Sequence, residues 1–330
     1  MTDTKPQVFA GFWKRLFAWI IDCVLLSVVC GGAGWAAMDV VAGWGSNGRC
    51  VGLVAGILYF GILSSSIGGG KTLAMRMLGL KVVTTQGKPL NLLASLWRAI
   101  VLVGPVMLNG WMFPPVSLPG VDPSLVMGVI QTLILVAVFG VGLAQVILML
   151  FGGPARRLVH DLVSGAVVVH AEIKTFDLPA ARGATIAAGV AVAAVFGLCL
   201  AAPALMHTQM AQKLQAATAP QLKVQAAVNA LPEVAATDVS ENTTTYYSTS
   251  GNTTSHTLIV TARLRQWPPA PDFEMARIGK AAAKAYAFAP GQQLQVTIVY
   301  GFDMGFGTYN NSQFATYDPH CANAGPKCLK

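Results

Sequence analysis

The chain has 330 residues, of which 54% are hydrophobic and only 11% charged, and its mean hydropathy is +0.57. A soluble domain carries about 25% charged residues, so this composition excludes an ordinary globular protein and points to the bilayer. The formal net charge of +8 fits anionic lipid headgroups as the partner, and nothing calls for nucleic acid.

Apolar segments at Phe17–Ala37, Val51–Ser66, Ala99–Phe113, Leu125–Phe151 and Thr185–Leu205 predict five membrane crossings. Spans of about 20 residues cross the hydrocarbon core, and shorter ones need thinning or tilt. The third, with Pro105 and Asn109, is the least regular. The first is too long for a signal peptide and lacks a small-residue cleavage site. Lys5, Lys14 and Arg15 precede the first span. Lys71, Arg76, Lys81, Lys88 and Arg98 separate the second and third, and Arg156, Arg157, Lys174 and Arg182 the fourth and fifth. The alternate loops hold Arg49 alone. This asymmetry predicts a cytoplasmic amino terminus and an exported carboxyl terminus.

Within the first span, Asp22 stands out. A carboxylate there costs roughly 2.5–3.5 kcal/mol on insertion scales, so it faces protein or a water-filled cavity. Arg15 and Asp22 are seven positions apart, two helical turns, and share a face at ~10 Å separation along the axis. They are too distant to pair, so each needs another partner. Asp22 then serves either as interhelical glue or as a transport site.

In the loop that follows the second span, Gly70-Lys71-Thr72 resembles the end of a phosphate-binding loop. The full pattern needs glycine where Ser65 stands and a soluble strand where a span stands. Lys71–Lys81 reads instead as an interfacial amphipathic helix, with Leu73, Met77 and Leu80 toward acyl chains and Lys71, Arg76 and Lys81 toward headgroups. An extended turn, Val82–Leu90, follows with Gly87 as its turn residue.

Taken in order, Gly11-Phe-Trp-Lys-Arg15, Asp22, Gly70-Lys-Thr-Leu73, Leu78-Gly-Leu-Lys-Val-Val83, Arg98 and Arg157-Leu-Val-His-Asp161 resemble the motifs of the RDD family of bacterial membrane proteins. The family takes its name from one arginine and two aspartates, which match Arg15, Asp22 and Asp161. The resemblance spans roughly Val8 to Val169, with Ala74 where the family often has glycine. It implies a multi-pass protein of the bacterial inner membrane. Transport is suggested for the family, and sodium–proton antiport is proposed for some members. On the predicted topology Arg15 and Asp161 both lie at the cytoplasmic rim, where an ion pair is expected. Asp22 lies deeper and is expected to face Asn109, Gln131 or Gln145, amides that could complete an oxygen-rich cation or proton site. His160 could titrate near neutral pH or serve as a hydrogen-bond partner.

Residues 207–330 read as an exported α+β domain beyond a linker and fifth span at 171–206. A helical stalk from His207 is interrupted at Pro220, and Val224, Val228 and Leu231 mark a new helix. Val234–Tyr247 and Thr257–Arg265 read as strands joined at Ser250-Gly-Asn252. Asp272 caps a helix after Pro271, with Ile278, Ala281, Ala285 and Phe288 as its stripe. Leu294, Val296, Ile298 and Tyr300 alternate in a third strand. The glycine- and aromatic-rich Tyr300–Tyr309 reads as a final strand and tail, or as a binding surface for glycans or proteins. The expected fold class is thus a membrane α-helical bundle of about five transmembrane helices plus a small two-layer α+β domain. Cys321 and Cys328 are expected to form a disulfide outside the membrane, since their spacing fits no common zinc pattern with His320.

No serine elbow, metal-ligand helix motif or close carboxylate pair is legible, so the chain reads as a non-enzyme without a cofactor. Two functions follow. The membrane domain moves a small cation or solute, with the exported module regulating it. Alternatively it anchors a scaffold whose exported module binds an envelope protein or a second copy of the chain.

Overall fold

The computed structural model describes residues 8–111, 129–130, 132–173, 175–177, 182–206, 209–248 and 251–319. Cys321, Cys328 and Gln131 lie outside the described residues. Among the described residues, three helices are long and apolar enough to cross a membrane: Phe12–Ala36, Met38–Leu63 and Thr132–Phe151. Leu92–Leu108 and Gly183–Cys199 are apolar but shorter. The chain divides into two compact units. Met1–Gly32, Arg49–Leu205 and Met304–Gly307 form the first, and Ala33–Gly48, Met206–Asp303 and Thr308–Lys330 the second.

In the first unit, α1 (Phe12–Ala36) buries Ala18, Asp22, Leu26 and Cys30, one residue per turn. Its other faces expose Trp13, Phe17, Val24, Val28 and Trp35. Large apolar groups outside and small or polar groups inside are the pattern of a helix solvated by lipid. α2 (Arg49–Leu63) repeats it, burying Gly52, Gly56 and Phe60 while exposing Val54, Leu58 and Ile62. Leu26, Phe60, Ala99, Val103 and Met107 form one core cluster, against which Phe306 also packs.

The segment after α2 departs from the expected amphipathic helix. Only Leu73–Met77 (α3) is helical, and Leu80 is fully buried as the first residue of β1 (Leu80–Thr84). Gly79, at φ +67°, ends the helix in the left-handed region, so the apolar period stops being helical there. Leu73 and Met77 are exposed as expected. Asn91 accepts from the Ala94 N–H and starts α4 (Leu92–Leu108). α5 (Thr132–Phe151) contains a π-turn at Val136–Gly140. α6 (Val159–Val163) and β2 (Ala166–His170) follow, and β2 pairs antiparallel with β1, from Leu80↔His170 to Thr84↔Ala166. α7 (Arg182–Met206) packs small residues, Ala184 and Ala188, against Ala144 and Leu148 of α5.

The second unit is a two-layer α+β fold. Its sheet has the order β3-β4-β5-β6: β3 (Val234–Ser248), β4 (Gly251–Leu264), β5 (Gln293–Asp303) and β6 (Thr308–Tyr317). β4 and β5 run parallel and the outer pairs antiparallel. Two helices cover the sheet, α8 (Gln209–Asn229) and α9 (Pro271–Ala285). Their Val224, Val228, Ile278 and Ala282 meet Leu258, Val260, Leu294, Val296 and Ile298 in one core. Three expectations change here. α8 continues through Pro220, because Val224 and Val228 anchor the half beyond it and offset one lost backbone bond. β4 begins at Gly251, since its threonine-rich start pairs residue for residue with β3. Asp272 sits in the first turn of α9 without a side-chain cap bond, where it faces the positive end of the helix dipole. The glycine-rich end supplies the hairpin into β6, whose Tyr309 and Phe314 remain exposed.

Two predictions follow from this packing. Gly70 has φ +71°, and a Cβ there would lie 2.5 Å from the Val82 carbonyl oxygen. Gly70→Ala should therefore cost roughly 1–3 kcal/mol, read from thermal unfolding in detergent. In the second unit, Arg277 bridges Glu233 at 2.8 Å and Glu274 at 3.3 Å. Burial, then the hydrogen bond and charge of Glu233, push Glu274 up to about 7. The folded unit thus holds a proton that the unfolded chain releases near pH 4.5, so its stability should fall as pH rises from 4.5 through about 7. Hydrogen exchange along α9 should quicken over that interval, and Glu274→Gln should remove most of the change.

Candidate functional site

Asp161 is fully buried at the third position of α6, where its Oδ2 accepts from the Leu158 N–H at 3.4 Å. Arg15, one turn into α1, donates from Nη2 to Asp161 Oδ2 and from Nη1 to the Arg156 carbonyl at 2.6 Å. The expected Arg15–Asp161 ion pair is therefore present. Arg98 of α4 adds a second guanidinium, with Nη2 at 2.9 Å and Nε at 3.0 Å from Asp161 Oδ1. Its partnership was readable in principle: an arginine opening an apolar helix needs a buried carboxylate. Arg157 Nη2 donates to the Asp161 carbonyl, and Nε to that of Ala166, which fixes the start of β2.

Burial alone would raise the Asp161 pKa, but Arg15, His160 and Arg98 hold it below the usual carboxylate range. His160 lies 3.4 Å from Asp161 Oδ1 through Nε2 and 3.4 Å from Gln145 Nε2 through Nδ1. A neutral ring with the proton on Nε2 satisfies both contacts. Burial, reinforced by Arg98 and Arg15, pushes the His160 pKa down to about 3. The expectation that His160 could titrate near neutral pH is thus corrected; the residue is a hydrogen-bond partner.

Asp22 is 1% exposed and makes a different arrangement. Its Oδ1 accepts from Tyr59 Oη at 2.6 Å and from the Ala74 N–H at 3.1 Å. Tyr59 Oη in turn accepts from the Leu73 N–H at 3.3 Å, and Thr72 Oγ1 from the Met75 N–H at 3.2 Å. Three consecutive amides at the start of α3 are thereby satisfied by one threonine, one tyrosine and one carboxylate. The Gly70-Lys-Thr-Leu73 motif points its helix start at Asp22. Tyr59 was missed in the sequence because a tyrosine in an apolar run is common. Asp22 Oδ2 is buried and has no hydrogen-bond partner among the described residues.

Of the amides expected opposite Asp22, Asn109 caps the far end of α4 and its carbonyl accepts from Arg49. It lies outside the site because eleven residues of helix, about 16 Å, separate it from Arg98. Gln145 does reach the site. It shares with Arg15, Asp22, Arg98, Arg156 and His160 the wall of a cavity of about 330 Å³, whose remaining lining is largely apolar and includes Trp19, Phe60 and Met149. In the cavity wall, Gln145 Oε1 joins Asp22 Oδ2 as a buried acceptor without a partner among the described residues. Among the described residues no cluster of His, Cys, Asp or Glu could hold a metal ion.

Apolar helices with lipid-type exposure, closed around a buried arginine–carboxylate cluster, define a multi-pass membrane protein. Residues 9–165, which contain α1 to α6, match the sequence model of the RDD family. No curated protein and no solved structure matches the chain significantly.

Arg98→Gln should destabilise the protein by about 3–5 kcal/mol, the cost of breaking a buried ion pair. Arg15→Gln should cost less, because its side chain is 9% exposed against 3% for Arg98, so water can replace more of what is lost. Thermal unfolding of both variants in one detergent checks the order. Since unfolded His160 takes up a proton below pH 6.5 and the folded residue does not until about 3, acid should destabilise the unit across that window. His160→Gln should shift the onset of acid unfolding to lower pH.

Proposed function

We propose that this protein is an RDD-type transport protein of the bacterial inner membrane, with its amino terminus in the cytoplasm. It moves a small solute through the cavity of the first unit, and Asp22 is the group that accepts a proton or cation during the passage. The second unit is its exported regulatory or binding module. One observation carries this reading: Asp22 commits one carboxylate oxygen to the helices and leaves the other, buried and unpartnered, in a residue that lines the cavity. An unmet buried acceptor costs about 1–3 kcal/mol, so an oxygen left open toward a cavity favours a bound partner there. Gln145, with its own unmet oxygen, supplies a second acceptor to the same cavity.

The bonds to Tyr59 and Ala74 favour a second reading, in which Asp22 only locks the bundle of a membrane-anchored scaffold. Two substitutions separate the readings. In Asp22→Asn the amide oxygen still accepts from Tyr59 and Ala74, so folding and thermal stability should be nearly retained. Asp22→Ala removes both bonds and should cost a few kcal/mol, roughly 1.5–3 for each bond to a charged group. Under an imposed pH gradient, wild-type protein in vesicles should dissipate the gradient read by an internal pH dye. The Asp22→Asn vesicles should match empty ones. Wild-type vesicles that match empty ones favour the scaffold, and wild-type flux retained in folded Asp22→Asn protein removes Asp22 from the transport path.

A further inference from the structure

We propose that the cavity is a binding site for an organic ammonium ion, a protonated primary amine on a compact apolar body. This rests on the reading of Asp22 as the group that takes up a cation, and it names the chemistry of that cation.

The polarity of the open wall follows from the buried cluster. Asp161 Oδ1 stands 3.4 Å from His160 Nε2, and a carboxylate accepts, so that nitrogen carries the proton of the ring. Nδ1 is then an acceptor, and the Gln145 amide at 3.4 Å turns its NH2 toward it. The Gln145 carbonyl oxygen is thereby left in the cavity wall without a partner among the described residues, as is Asp22 Oδ2. The donors of Arg15 and Arg98 go elsewhere, to Asp161 and to the Arg156 carbonyl. A cavity whose open polar atoms are acceptors takes a ligand that donates.

Charge selects an ammonium over a neutral donor. Asp22 is a buried carboxylate, and its open oxygen meets no cation among the described residues. The surplus positive charge of the Arg15–Asp161–Arg98 cluster lies two helical turns away, about 10 Å along α1. Coulomb energy falls inversely with distance, so an ammonium about 3 Å from Asp22 gains roughly three times what it loses to that surplus. Arg156 is exposed, and its charge is screened. An inorganic cation is a poorer match, because hard cations such as calcium and magnesium take about six oxygens and this wall leaves two open.

The rest of the wall sets the body of the ligand. Trp19 stands three residues before Asp22 on the same face of α1, and both line the cavity. An indole face next to a carboxylate favours an ammonium further. Phe60, Leu102, Val146 and Met149 make the remaining wall apolar. A volume of about 330 Å³ lies at the small end of ligand sites, with room for an amine on a short chain or a single ring.

The test is saturation binding of tritiated octylamine to the full chain immobilised in a non-ionic detergent, with unlabelled competitors. A single displaceable site per chain is expected, emptied by octylamine and by phenethylamine. Trimethyloctylammonium has the charge without N–H donors, octanol a donor without the charge, and octanoate the opposite charge. Each should compete about ten-fold more weakly, or worse. Asp22→Asn keeps an oxygen for Tyr59 and Ala74 but loses the charge, so binding should fall about ten-fold in protein that unfolds thermally like the wild type. Absence of the site in wild-type protein, equal competition by any of the three analogues, or unaltered binding in folded Asp22→Asn protein overturns the proposal. If Asp22→Asn does not fold, the competition series on wild-type protein decides alone. Absent amine binding together with Asp22-dependent dissipation of a pH gradient rejects the amine and leaves transport standing. Amine binding by protein that dissipates no gradient keeps the site and rejects transport.

Discussion

Asp161 holds its charge between the guanidinium groups of Arg15 and Arg98 with no exposed surface, and the first unit is arranged around that contact. The two arginines come from the starts of helices more than eighty residues apart, so one carboxylate gathers the ends of α1, α4 and α6. A buried ion pair gains little net stability over a well-packed apolar pair, but losing one partner is expensive. Such a contact therefore sets which helix ends meet more than how firmly they hold. Once Arg15 is placed, the helical period puts Asp22 two turns farther along the same face, against α2 and the start of α3. The cavity is the space left between these two anchored points and the apolar walls of α4 and α5.

Much of this frame was legible in the sequence. Ala18, Asp22, Leu26 and Cys30 recur every fourth position, and the intervening large apolar residues could face only lipid. The Arg15–Asp161 pair followed from the family resemblance, which singled out both residues, and from the predicted topology, which placed both at one rim. The alternation of Leu258, Val260 and Ala262, and of Leu294, Val296 and Ile298, gave strands that the second unit indeed buries. What escaped was non-local. β1 and β2 pair across more than eighty intervening residues, and neither Leu80–Thr84 nor Ala166–His170 alternates, since both faces are covered. Leu80 fitted a helical stripe as well as a strand until Gly79 broke the period. Tyr59 is informative only beside Asp22, and nothing in a single span announces that neighbour.

The phosphate-loop resemblance shows how one local device serves two chemistries. A glycine-rich turn leading into a helix start presents backbone N–H groups to any anion. Here the anion is built in: Asp22 Oδ1 receives the Ala74 amide, and Tyr59 and Thr72 take its neighbours. The positive φ of Gly69 and Gly70 shapes the turn, and Gly70 closes on the Val82 carbonyl with no room for a side chain. The lysine of the motif is half-buried in this turn, and the bonds to the helix start come from Asp22, Tyr59 and Thr72 instead.

The attachment of Asp22 Oδ1 has a consequence for biogenesis. α1 is made first, yet the donors to its carboxylate sit at Tyr59 and Ala74, some forty to fifty residues later in synthesis. A helix with an unpaired carboxylate enters lipid at a cost of roughly 2.5–3.5 kcal/mol, and that cost persists until those donors arrive. The bonds to the carboxylate of the first span therefore form only once the second span and the Gly70-Lys-Thr turn have been made. The order of synthesis thus makes the first two spans and the following turn a single insertion unit.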